Sequence, residues 1–268
     1  QITQQDIERF LEYLSGKTDL SDSGPKNQTQ GIRRRLSALN SFFGYFYRAG
    51  ILSSNPALAV RTPKLHEKEI VRMNTDEMKA FLQELEDGAG LKGKCAAYHQ
   101  SFKLRDTAML SLMLGTGIRV SECVGLNMKD IDLKDNAAHI RRKGGKEAVV
   151  YYNNEVAENL RRYMGERTEQ QPDPGNEDAL FLSRMNRRIS VRGVEKLVKK
   201  YASVVTPDKH ISPHKLRSSY GTALYSKTGD IYLVGSVLGH KNINVTTRYY
   251  TDVDEKRKSS VKDLDLLN

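Results

Sequence analysis

The feature that most constrains this chain is a break in its hydrophobic rhythm between Arg61 and Ile70. That stretch carries Pro63 and charges of both signs, with no apolar periodicity. It reads as a linker over residues 63–72, separating residues 1–62 from residues 73–268. A length of 268 residues is more than one small domain needs and suits two. With 38% hydrophobic and 28% charged residues, the chain can bury a normal core and lacks the bias of a disordered one.

Upstream of the break the pattern is helical. Ile7, Phe10, Leu11 and Leu14 recur at helical spacing, with Thr3 placed to cap residues 3–15. Residues 21–30 are polar around Gly24-Pro25 and read as a loop. Residues 28–49 form a second helix with Leu36, Leu39, Phe43, Phe46 and Tyr47 as its apolar stripe and Gly50 as its stop. Asn55-Pro56 begins a short capped turn.

Downstream, Asn74 and Glu77 have capping-box spacing before a helix through Leu85. Residues 102–114 are helical until Gly115-Thr116-Gly117 breaks the run, and a short helix resumes at 121–126. Residues 137–152 change period. Ala138 and Ile140, then Val149, Val150 and Tyr151, read as two strands around a Gly144-Gly145 turn. Residues 154–164, 190–202 and 230–238 return to helix. Ser212-Pro213 is a strong helix start. In the charged tail, Val261, Leu264 and Leu267 share one helical face. The expected fold is mainly α with a small antiparallel β-sheet.

Composition narrows the class. No run approaches 18 apolar residues, so no transmembrane helix is expected, and no leader is visible. The start at Gln1 suggests a fragment or a trimmed chain. Cys95 and Cys123 alone exclude a disulfide framework and point to the cytoplasm. The six histidines form no HExxH and the two cysteines no CxxC, so a metalloenzyme is not indicated. A net charge of +10 suggests a polyanionic partner. The basic residues fall in three separate clusters, Arg33-Arg34-Arg35, Arg141-Arg142-Lys143 with Lys146, and Arg184, Arg187, Arg188 and Arg192, as would suit a wrapped groove.

Candidate chemistry lies downstream. His214 and Arg217 stand three apart on the first turn of the helix opened by Ser212-Pro213, where free backbone N–H groups suit a phosphate. A helix ending at Leu238-Gly239 is followed by His240, and Tyr249 and Tyr250 come within ten residues. A tyrosine is a possible nucleophile where its phenol can be deprotonated. Arg119 follows the glycine-broken helix end, and Lys143 sits at the lip of the Gly-Gly turn.

Together and in this order, these stretches resemble the tyrosine recombinase (integrase) family of Xer-type and phage-type enzymes. The matching segments are Thr116-Gly-Ile-Arg-Val-Ser-Glu122, Arg142-Lys-Gly-Gly-Lys-Glu147, Pro213-His-Lys-Leu-Arg217, Leu238-Gly-His240 and Thr246-Thr-Arg-Tyr-Tyr-Thr-Asp-Val253. Upstream, Leu36-Ser-Ala-Leu-Asn-Ser-Phe-Phe43 and Asn55-Pro56-Ala57 look like the family's core-binding domain, whose usual first helix is not visible before Ile2. The resemblance thus implies a two-domain architecture. A helical, SAM-like core-binding domain at 1–62 joins, through the linker at 63–72, an α+β catalytic domain at 73–268 that ends in a helix.

The resemblance also implies a chemistry. DNA strands are cut one at a time and held as a 3′-phosphotyrosine, with no metal or nucleotide cofactor. Arg119 and Arg217 match two arginines that clamp the non-bridging oxygens, where charge builds in an in-line displacement. Lys143 matches the hairpin lysine taken as general acid, and Lys146 is the neighbour open to confusion with it. His214 matches the position that supports proton transfer at the tyrosine, and His240 a second hydrogen-bonding position at the phosphate. Glu122 matches an indirectly supporting acid. Tyr249 lies nine residues after His240, a spacing common in the family, whereas the local Thr-Thr-x-x-Tyr pattern with Val253 three residues on selects Tyr250. Tyr250 is preferred, with Tyr249 as the alternative nucleophile. Ser218 stands where many relatives carry histidine, outside the catalytic set.

The implied partner is double-stranded DNA bearing a specific recombination site, with a homotetrameric synapse formed through the C-terminal helix and with room for accessory proteins, away from any membrane. Such an enzyme would act in a bacterial cytoplasm, at the nucleoid. Arg33, Arg34, Arg35, Arg141, Arg142 and Lys146 are candidate phosphate contacts, while Lys26, Asn27 and Gln28 could reach base edges. The competing readings are a type IB-like topoisomerase, which shares the catalytic residue set, and a DNA-binding regulator without catalysis.

Overall fold

In the computed structural model the described residues are 2–16, 29–62, 71–142 and 144–239. Two compact units divide between Glu69 and Ile70.

The upstream unit is built on α1 (Gln4–Gly16) and α2 (Thr29–Arg48). At the start of α1 the Thr3 N–H and hydroxyl donate to the Asp6 carboxylate, and the Asp6 N–H returns to Thr3 Oγ1. Ile7, Leu11 and Leu14 face Ile32, Leu36, Phe43, Ala57 and Val60. Phe10 and Tyr47, expected in the apolar stripes, are exposed instead. Each falls at an edge of the buried seam, which the pairing of only two helices keeps narrow. Asn55 brackets the unit. Its amide donates to Asn40 Oδ1 at 2.7 Å, and its Oδ1 accepts the Ala57 N–H.

The downstream unit is arranged around α4 (Lys94–Thr116), a 23-residue helix that begins eight residues before the expected 102. Every residue from Arg105 to Leu114 is buried, so no single apolar face marks α4 in the sequence. It packs against α3 (Thr75–Asp87), α6 (Asn154–Glu169), α7 (Val191–Val205) and α8 (Pro213–Thr228). The Asn74–Glu77 capping box forms in both directions at 2.7 and 2.8 Å. The short α5 (Val120–Gly125) leads to a three-stranded antiparallel sheet, β1 (Ile131–Asp132), β2 (Ala137–Arg141) and β3 (Glu147–Tyr151), in the order β1-β2-β3. The two-residue β1 was not apparent in the sequence. Beyond α8, α9 (Ile231–Leu238) ends at Gly239.

The sheet directs its side chains by alternation. Ala138 and Ile140 are buried, while His139 and Arg141 point outward. Arg141 pairs in register with Glu147, and one further backbone bond joins the Arg142 N–H to the Lys146 carbonyl at 2.7 Å. The turn is therefore centred on Gly144, within the expected Gly144-Gly145 pair. Both glycines sit at positive φ, +88° and +76°.

Between α4 and α7 lies a buried polar network that sequence reasoning missed. Asp106 Oδ1 accepts from Arg105 at 2.6 Å, and Asp106 Oδ2 accepts from Lys200 at 3.2 Å and from the Tyr201 hydroxyl at 2.9 Å. Arg105 also donates to the Leu182 carbonyl and the Tyr98 hydroxyl, and His99 Nδ1 lies 3.0 Å from the Tyr201 oxygen. Among the described residues no helix is long and apolar enough to cross a membrane.

Candidate active site

Helix α4 stops at Gly117, whose φ of +66° is the left-handed conformation that lets the chain reverse direction. A side chain there would collide with Tyr220 and Leu238, since a Cβ would lie 2.5 and 2.7 Å from their carbons. Ile118 is buried and anchors the reversal, so Arg119 emerges at the start of α5. Buried Glu122 fixes it twice, accepting the Arg119 backbone N–H and its Nη1, both at 2.8 Å. The Glu122 carboxylate thus orients one guanidinium.

Arg217 reaches the same place from α8. Pro213 occupies the first turn of that helix, and Ser212 is its N-cap residue, although no side-chain capping bond forms. Arg217 is buried. Its Nη1 donates to the Gly117 carbonyl at 2.5 Å, and its Nη2 donates to the Leu238 carbonyl. Arg119 Nη2 donates to the Gly239 carbonyl at 3.2 Å, and Arg142 Nη2 to the Val237 carbonyl at 2.9 Å.

Three guanidiniums from distant segments therefore meet three successive carbonyls, of Val237, Leu238 and Gly239. These belong to the C-terminal end of α9, where carbonyls lack helical partners and the helix dipole favours cations. Charge-assisted bonds of this kind are strong and directional. A guanidinium has five N–H donors, more than the two bonds described for Arg119 occupy. The cluster can thus be held in place and still present donors to an anion.

His214 lies on the exposed side of α8, three residues before Arg217. Protein packed around its ring, followed by the positive charges of Arg217 and Arg119, pushes its pKa below the ordinary imidazole value of 6.5. That shift favours the neutral imidazole, the form able to accept a proton.

A cleft opens between α5 and the hairpin, with Arg119, Glu122, Arg141, Arg142, Lys146 and Gly239 among its lining residues. Arg141 and Lys146 are exposed on its wall, whereas Arg142 turns inward to α9. The third basic cluster divides. Arg188 spends its donors on the Val124 and Leu126 carbonyls and on Asn127 Oδ1, and Arg187 pairs with Asp173 at 2.7 Å. Arg188 therefore fastens its own segment to the end of α5 and the residues that follow it. In the upstream unit Arg34 and Arg35 are exposed on α2 and Arg33 is half-buried. Lys26, Asn27, Gln28, Lys143, His240, Tyr249, Tyr250 and the tail face of Val261, Leu264 and Leu267 lie outside the described residues.

Residues 71–257 match the family model described as the phage integrase family. Tyrosine recombinase XerC of Serratia marcescens is 33% identical over 237 residues, covering 88% of this chain and 73% of that protein. The XerC of Yersinia pestis is 34% identical over 230 residues, covering 85% and 70%. The chain belongs to the phage integrase family of tyrosine recombinases. It is a tyrosine-type site-specific recombinase, and neither the topoisomerase nor the non-catalytic reading is favoured. Its fold is shared with XerH site-specific recombinase bound to palindromic difH substrate, at a TM-score of 0.76 and 20% identity over 98% of this chain and 73% of that one. It is shared also with the Tn1549 transposon integrase, at a TM-score of 0.71 and 20% identity over 93% and 81%.

Proposed function

We propose that this chain exchanges DNA strands at a specific duplex site through a covalent 3′-phosphotyrosine, with Arg119, Lys143, His214, Arg217, His240 and Tyr250 as its catalytic residues. The observation that carries this reading is the meeting of Arg119 and Arg217 at the carbonyl end of α9, directly before His240 in the chain. Two fixed guanidiniums suit a phosphodiester whose non-bridging oxygens gain charge during in-line displacement. The Tyr250 oxygen attacks phosphorus and the 5′ oxygen departs. His214, with its neutral form favoured, suits the acceptance of the tyrosine proton, and Lys143 supplies a proton to the leaving oxygen. The phosphotyrosine keeps the bond energy, so a 5′ hydroxyl from another strand can reverse the step and join the strands.

In this reading residues 1–62 are the core-binding DNA domain. Arg33, Arg34 and Arg35, with Arg141 and Lys146 on the cleft wall, meet phosphates, and Lys26, Asn27 and Gln28 approach base edges. Several solved proteins of the same fold are recombinases bound to DNA, which supports the choice of partner. A tetrameric synapse coupled through Val261, Leu264 and Leu267, aided by accessory proteins and acting at the nucleoid of a bacterial cytoplasm, completes the proposal.

Covalent trapping tests it. The protein is incubated in EDTA with a duplex carrying its site and a nick beside the cleavage point, and the SDS-resistant adduct is digested and mapped. An adduct on Tyr250 is expected. An adduct on Tyr249 would keep the mechanism and change the nucleophile, and no adduct despite measured binding would reject the catalytic reading.

A further inference from the structure

Arg142 precedes the hairpin lysine, and its guanidinium is engaged at the carbonyl end of α9. Nη2 donates to the Val237 carbonyl, 95 residues away in sequence, at 2.9 Å. The guanidinium lies over the Gly239 backbone so closely that a Cβ there would stand 2.0 Å from Nη1 and 2.5 Å from Cζ. Gly239 is also at φ +62°, so both the conformation and the close approach require glycine. The backbone of Arg142 frames the turn. Its N–H donates to the Lys146 carbonyl at 2.7 Å, and its carbonyl accepts from the Gly145 N–H at 3.1 Å. One residue thus closes the loop that contains position 143 and pins that loop to the helix end that precedes position 240. Its Nε is buried with no hydrogen-bond partner among the described residues.

We propose that Arg142 is a positioning residue for strand cleavage: by fastening the β2–β3 turn to the carbonyl end of α9, it sets Lys143 against the leaving oxygen. The inference rests on the reading of Lys143 given above. Arg142 itself needs no contact with DNA, because its planar fork serves the Val237 carbonyl and the Gly239 surface. Lysine, a point charge without a plane, can keep the bond but not the stacking.

A double-mutant cycle tests this, reading the rate of covalent adduct formation by the full chain at saturating site DNA. Displacing a catalytic group by about an ångström costs on the order of 100-fold in rate. R142A is therefore expected to be slowed about 10- to 100-fold with DNA affinity nearly kept, and R142K to lie between. In the K143A background, R142A is expected to add almost nothing, because its effect passes through Lys143. A 5′-bridging phosphorothiolate substrate, whose thiolate leaves without a proton, is expected to restore both R142A and K143A. Additive losses in the double variant, or an R142A rate equally slow on both substrates, would overturn the role of Arg142 while leaving Lys143 as the acid. A K143A variant that the sulfur substrate does not rescue would instead reject the general-acid reading. Non-additivity would then still assign Arg142 to positioning Lys143. Far-UV circular dichroism of each variant, with R142K as the milder change, separates these outcomes from misfolding.

Discussion

Arginine is used in two opposite ways in the two units. On α2, Arg34 and Arg35 project from an exposed helix face. In the downstream unit Arg119, Arg142 and Arg217 are fixed by carbonyls at one helix end, and Arg105 is sunk against Asp106. The first arrangement suits phosphate contacts that adjust to a duplex. The second suits donors that must not reorganise when charge develops, because preorganisation is what makes such donors effective in a transition state. The cores differ in the same sense. The upstream seam is apolar, with Ile7, Leu11, Ile32 and Leu36, whereas α4 carries a buried ionic network beside its apolar residues.

The largest effect should come from breaking that network. D106A leaves buried Arg105 and half-buried Lys200 without their carboxylate, and the downstream unit should lose about 3–5 kcal/mol in urea unfolding. L36A in the upstream seam should cost about 2–5 kcal/mol through transfer and cavity formation, with no change in ionic-strength dependence. Similar salt dependence for the two losses would break the contrast.

R217A removes a fixed donor pair and should lower the rate of covalent adduct formation by about 10²–10³-fold. Adduct formation at the wild-type rate would remove Arg217 from the clamp. G117A should destabilise the chain by about 2 kcal/mol, from the left-handed backbone and the contact with Tyr220. A urea midpoint equal to wild type would show that α4 can end without glycine.

R34A and R35A should each reduce the slope of log binding constant against log salt by about 0.9, leaving the cleavage rate of bound complex unchanged. The smallest effect concerns pH. Burial first, then Lys200 for His99 and Arg217 with Arg119 for His214, hold both imidazoles below their ordinary value of 6.5. The unfolded chain therefore binds more protons than the folded one in the window just below 6.5. Stability from both groups is full above that pH and falls as pH drops through it. Chemical denaturation between pH 7.5 and 5, repeated on H99F, checks the sign, and a flat profile would refute it.

The site was legible in part because its residue types are dictated by local chemistry. A glycine that must turn left and a proline that opens a helix leave marks in the sequence. Gly117 and Pro213 left such marks, whereas Arg119 and Arg217 gained their roles only through the family resemblance. Arg142 was visible only as one member of a basic cluster, and nothing in the sequence separated it from Arg141, its outward neighbour. Alternation on β2 turns Arg141 out, and the end of the strand turns Arg142 toward α9. The start of α4 was missed because a helix buried on all sides has no amphipathic stripe to read. Arg188 looked like a groove residue because its carbonyl partners, at Val124 and Leu126, lie more than 60 residues away.

The sequence by itself determined the capped helix ends, such as Asn74 before α3 and Gly117 after α4, together with the hairpin and the two-part division of the chain. Each of these depends on backbone conformation or side-chain chemistry within a few residues. Tertiary structure alone decided which arginines became fixed donors and which stayed on the surface. That choice depends on unpaired carbonyls at the end of α9, which only packing brings within 3.2 Å of residues from three distant segments.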